Sequence, residues 1–117
     1  MDDSSFNLIY HGKGAREQDF THASDIARAI YCSLVKSNVT GIFNIASGKP
    51  LSMKELAYKI IENAAGTTNK PIASGEPDLQ ENHHANIDIS KAQSLLGWES
   101  KITLDEGIKQ WIRFLEA

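Results

Sequence analysis

The sequence predicts an α/β fold, a small mixed lobe of short strands and about four helices. Three observations carry that expectation. Short apolar runs are bounded by glycines, two capping boxes each open an amphipathic segment, and strand and helix signals alternate along the 117 residues.

Residues 6–10, FNLIY, form an apolar run ending at Gly12 and Gly14, a strand entering a turn. QDFTH follows as a short extended piece. From Ser24, apolar Ile26, Ile30 and Leu34 recur every fourth residue with Ala27, Tyr31 and Val35 beside them, which predicts a helix over 24–36 with one buried face. Residues 40–47, TGIFNIAS, are rich in β-branched and aromatic residues between Gly41 and Gly48, and a buried strand is expected there. The turn SGKP leads to a helix opened by the capping box of Ser52 and Glu55, lined by Leu56, Ile60 and Ala64 and stopped at Gly66.

Residues 69–74, NKPIAS, predict another short strand, with Pro71 at its beginning or on an edge. Residues 75–86 have little apolar content and no period, and read as a loop. Ser90 is expected to cap a short helix that closes at Gly97, with Leu95, Leu96 and Trp98 packing. Thr103 and Glu106 form the second capping box, ahead of apolar Leu104, Ile108, Trp111, Ile112 and Leu115. Both tryptophans fall on apolar faces and are expected in the core, and Cys32 reads as a small buried hydrophobe.

Composition sets bounds on function. A compact chain of this length buries roughly two thirds of its unfolded surface, enough for one core. A net charge of −3 argues against a general nucleic-acid binder, which needs a concentrated basic face. No apolar run is long enough to span a membrane and no basic-then-apolar leader opens the chain, so a cytoplasmic location is expected. His83 and His84 lie near Glu81 and Asp78, but adjacent histidines on extended chain point oppositely and no metal site is expected. His22 reads as a structural hydrogen-bonding residue, Asp25 as a first-turn dipole and capping residue, and Lys49 as a solvated turn lysine within reach of an anion.

Several words of this sequence occur together in one known order. Gly12, Gly14, Asp19, Phe20, His22, Asp25, Ile26, Ala27 and Ala29 come first, followed by GIFNIASGKPLSMKELA, DISKAQSLLGWES and TLDEGIKQWIRF. The succession, covering nearly all of residues 8–115, resembles the C-terminal part of the extended short-chain dehydrogenase/reductases, NAD-dependent enzymes that epimerise, dehydrate or reduce nucleotide-activated sugars. The resemblance implies that residues 1–117 are a single substrate-binding lobe separated from its Rossmann half, with NAD or NADP belonging to the full-length parent and none bound by this chain. It places substrate binding at Arg16, Gln18, Phe20 and Asp78.

Two hallmarks of the family's catalytic half are missing. GKGARE puts Glu17 where a dinucleotide-binding G-x-G-x-x-G needs its last glycine. No tyrosine stands four residues before a lysine: Tyr10 is followed at that spacing by Gly14, Tyr31 by Val35 and Tyr58 by Glu62. No catalytic residue is therefore expected.

The lobe also departs from the family's pattern. The usual diphosphate arginine before the Asp-aromatic pair is Gln18, whose amide donates hydrogen bonds without charge, while Arg16 would lie on the same face of an extended strand. The late-loop arginine position before Pro77 holds Glu76. Two other readings stand beside the enzyme lobe: a free-standing non-enzymatic binding or assembly module, and a metal-dependent hydrolase built on the late loop. Loss of a domain partner would expose apolar surface, so a homodimer through that surface is expected.

Overall fold

Among the described residues the fold has four two-residue strands, three α-helices and one π-helical turn. The structure, a computed structural model, describes residues 7–64 and 69–117. Strand β1 (Ile9–Tyr10) pairs in parallel with β4 (Ile72–Ala73), and β2 (Glu17–Gln18) pairs antiparallel with β3 (Leu51–Ser52). Helix α1 spans Ala23–Val35, α2 Met53–Asn63 and α3 Leu104–Glu116, with the π-helical turn at Ala92–Leu96 before α3.

The two capping boxes fall where the sequence puts them, whereas α1 is capped by His22 and not by Asp25. The hydroxyl of Ser52 accepts from Glu55 N while the Glu55 carboxylate accepts from Ser52 N, and Thr103 and Glu106 repeat the exchange at α3. The expected stop at Gly66 lies outside the described residues. The π-helical turn is entered differently: the carboxylate of Asp88, not the expected Ser90 hydroxyl, accepts the N–H of Ser90 at 2.9 Å. That bond, with further hydrogen bonding to the Ser90 side chain, holds Asp88 below the usual carboxylate range.

Ala29, Ala92, Leu96 and Trp98 form the central apolar cluster, with Cys32, Val39, Phe43 and Ile45 packed against it. Trp98 is fully buried and donates its indole N–H to the carbonyl of Asp25 at 2.8 Å. Helices α2 and α3 pack together, and Ala57, Ile61 and Ile112 within them and Ala64 just after α2 are buried. Lys59 and Asp105 tie them at 2.8 Å, with Asn63 donating to the same carboxylate at 3.2 Å. The hydrogen bond to Asp105 raises the pKa of Lys59, and the bonds from Lys59 and Asn63 lower that of Asp105. Both side chains are well exposed, so solvent screening limits the pair to about 1 kcal/mol or less.

Three burial expectations are corrected. In α1 the buried residues are Asp25 and Ala29, while Ile26, Ile30, Tyr31, Leu34 and Val35 all face solvent, Leu34 at 74% exposure. Residues 40–47 form no ladder; Phe43 and Ile45 point inward but Ile42 is 86% exposed. Trp111 is 62% exposed, tilted against Phe114 with ring centroids 6.1 Å apart. All three share one physical cause: a face apolar enough to be buried has no element of the described residues laid over it.

The whole shape agrees. The radius of gyration is 17.2 Å and the principal extents are 55 × 37 × 14 Å. A compact chain of this length has a radius of about 13 Å. The accessible surface is 8054 Å², against about 6,300 Å² for a compact monomer of this mass. The chain is a thin plate, and it leaves uncovered the surface that a compact chain would bury.

Candidate functional site

The first turn is built on close approach. Gly12 and Gly14 have φ of +59° and +70°, and a side chain at either would collide: a Cβ on Gly12 would lie 2.7 Å from Glu81 Oε1, and one on Gly14 2.6 Å from Lys54 Cβ. The late loop is laced onto this turn and onto β2. Gly12 N donates to the carbonyl of Glu76, Lys13 N to the Glu81 carboxylate, and Glu17 N to the carbonyl of His83. His84 Nδ1 pairs with Glu17 Oε1 at 2.7 Å, and His11 Nδ1 with Ser74 Oγ at the same distance.

The four residues expected to bind substrate are not gathered in one place. Arg16 Nε lies 3.1 Å from Asp78 Oδ2, an ion pair in which the N–H is not aimed at the oxygen, and Arg16 Nη1 donates to Gln80 Oε1 at 3.3 Å. Arg16 and Asp78 border a cleft of about 230 Å³ with Tyr10, His11 and Met53. Gln18 is held in the β2–β3 pair opposite Leu51. Phe20 projects elsewhere, into clefts of about 640 and 290 Å³ against α3.

Sequence reasoning missed two carboxylates that organise this side. Asp19 accepts the N–H groups of Ser47 and Gly48 at 2.8 and 2.9 Å and so fixes the turn before β3. Asp25 is buried, and beyond a first-turn dipole role it accepts from Lys101 N, Ile102 N, Ser100 Oγ and Arg28 Nη2. Burial raises its pKa, but the bonds from Ile102, Arg28, Lys101 and Ser100 outweigh that and hold it below the usual carboxylate value. His22 caps α1, accepting Ser24 N at Nδ1; its Nε2, left as the protonated nitrogen, then donates to Gln110 Oε1 at 2.8 Å.

The glycine turn does not fit a dinucleotide. A pyrophosphate needs free backbone N–H groups ahead of a helix N-terminus, whereas Lys13 N is taken by Glu81, Gly12 N by Glu76, and the next element is β2. Among the described residues no group of three His, Cys, Asp or Glu side chains could hold a metal ion. No helix among them is long and apolar enough to cross a membrane.

The model of the GDP-mannose 4,6 dehydratase family matches residues 3–111. The chain is 33% identical over 106 residues to the dTDP-4-dehydro-6-deoxyglucose reductase of Escherichia coli, covering 86% of this chain and 31% of that protein. It is 34% identical over 109 residues to the UDP-glucuronate 4-epimerase of Thermodesulfobacterium geofontis, covering 88% and 31%. The UDP-N-acetylglucosamine 4-epimerase of Bacillus cereus superposes with a TM-score of 0.77 at 27% identity, over 92% of this chain and 38% of that one.

The fold is thus that of the C-terminal part of the nucleotide-sugar epimerases and dehydratases of the short-chain dehydrogenase/reductase class. The chain belongs to the GDP-mannose 4,6 dehydratase family. It spans about a third of the length of the curated relatives it matches.

Proposed function

We propose that this chain is the substrate-binding C-terminal portion of an NAD(P)-dependent nucleotide-sugar epimerase, dehydratase or reductase of the cytoplasm, inactive without the remainder of the enzyme. The observation that carries the reading is the uncovered apolar plate: the outer face of α1 and the unladdered residues 40–47 lie over one cluster, and among the described residues nothing covers their other side. A helix face and an extended segment exposed together are the surface that a neighbouring sheet covers.

In this reading Arg16 supplies charge toward a nucleotide diphosphate, turning from Asp78 to do so, and Gln18 and Phe20 give an amide donor and an apolar wall. Asp78 restrains Arg16 when substrate is absent. Hydride chemistry is supplied by the nicotinamide in the rest of the enzyme. The test is turnover: purified chain with NAD and UDP-glucose is expected to show none, and detectable turnover would refute the proposal.

The same uncovered face makes a homodimer the expected state of the isolated chain. A stable interface needs roughly 800 Å² from each partner, and the excess surface of the plate is of that order. Sedimentation velocity at high protein concentration is expected to show a dimer; a strictly monomeric profile would contradict this.

A further inference from the structure

Two clefts against α3 share Phe20, Ile102, Thr103 and Leu104 and so meet along one wall. The smaller, about 290 Å³, lies between the turn before β3 and the start of α3, and Lys49, Lys59 and Lys101 all border it. In a chain with 12 basic and 15 acidic residues this is a concentration of positive charge. The one carboxylate on the cleft, Asp105, is already engaged by Lys59 and Asn63. Lys49 and Lys101 donate only through their backbone N–H groups, to Ser47 Oγ and Asp25 Oδ1, and among the described residues their ammonium groups have no partner.

Both lysines rise from anchored backbone. Asp19 grips the N–H groups of Ser47 and Gly48 next to Lys49, and Asp25 grips those of Lys101 and Ile102. The remaining walls are largely apolar, with Phe20, Pro50, Leu51, Ile102 and Leu104. The three lysines and one aspartate that border the cleft carry two net positive charges beside its largely apolar walls.

We propose that this cleft binds a phosphate monoester whose other part is small and apolar or planar. A phosphate monoester carries about −1.5 to −2 charge at pH 7 and three acceptor oxygens, which matches the two unpartnered ammonium groups, whereas a carboxylate would match half of that charge. The ester group packs on Phe20 and Leu104. Of the four proposed substrate residues Phe20 borders the cleft while Arg16, Gln18 and Asp78 do not, so the two readings share that apolar wall but place their anions at different basic side chains, and the lysine cleft adds a second anion site to the lobe.

The test is calorimetric titration of the full chain with phenyl phosphate, inorganic phosphate, UDP and benzyl alcohol, at low and high salt. Phenyl phosphate is expected to bind saturably, more tightly than inorganic phosphate or benzyl alcohol, and to weaken as salt rises. The double variant Lys49→Gln, Lys101→Gln, which keeps both backbone anchors and the Lys59 pair, is expected to lose about tenfold in affinity with an unchanged circular dichroism spectrum. Absence of saturable binding at millimolar phenyl phosphate overturns the proposal, as does equal binding of benzyl alcohol or indifference to the double variant. Tighter binding of UDP that the same variant abolishes would also overturn it, by assigning the cleft to the nucleotide diphosphate.

Discussion

Replacing Asp25 by asparagine is expected to cost about 3–5 kcal/mol, the range for removing one partner of a buried charged network. The carboxylate is buried and accepts at both oxygens from two backbone N–H groups, a hydroxyl and a guanidinium. An amide keeps one acceptor oxygen and turns its NH₂ toward a donor, leaving buried groups unpaired. A domain of this size is stable by about 5–15 kcal/mol, so the variant should be largely unfolded in mild urea where the parent chain is folded.

The pH dependence has a definite sign. The folded pKa of Asp25 is lowered below its ordinary value of 3.8, so its contribution is present above the unfolded value and is lost as pH falls through the folded one. Acid urea midpoints should fall steeply for the parent chain below about pH 4, and less steeply for Asp25→Asn. Equal slopes in the two chains would show that Asp25 is not the group responsible.

Trp98→Ala should remove a comparable amount, about 3–5 kcal/mol for deleting a large buried aromatic. Trp98 is fully buried among Ala29, Ala92 and Leu96, and the Arg28 guanidinium lies 5.7 Å from its ring centroid. Trp98→Phe separates the two contributions: it retains most of the ring but leaves the Asp25 carbonyl without the indole donor, at about 1–3 kcal/mol. Urea denaturation followed by circular dichroism measures both. A loss under 1 kcal/mol for Trp98→Ala, well below the usual cost of such a deletion, would contradict the place of Trp98 at the centre of the core.

What was legible in the sequence is what short-range chemistry decides. Ser52 with Glu55 and Thr103 with Glu106 are three residues apart, and each pair satisfies its own helix start wherever the helix then packs. The loop over 75–86 was legible because it has too few apolar residues to be anything else. By contrast, the donors to the Asp25 carboxylate from Ser100, Lys101 and Ile102 stand 75 to 77 residues further along, and no local pattern announces them.

The outward face of α1, residues 40–47 and Trp111 were misplaced for a different reason. Periodicity reports which side of an element is apolar, not whether a partner is present to cover it. In Ile26, Ile30 and Leu34 the helical period is correct and the covering layer is absent from the described residues. Only Arg16 and Gln18 were expected on one face of an extended strand; Arg16 lies against Asp78, and Phe20 lines the clefts beside α3.

The central claim, that this lobe completes a larger nucleotide-sugar enzyme, is tested most directly by reading the genomic frame upstream of the codon for Met1. An open frame of about 200 residues is expected there, one further domain of common size, encoding a strand, a glycine-rich turn and helix, and later a Tyr-x-x-x-Lys. A stop codon with a ribosome-binding site immediately before Met1 would contradict it.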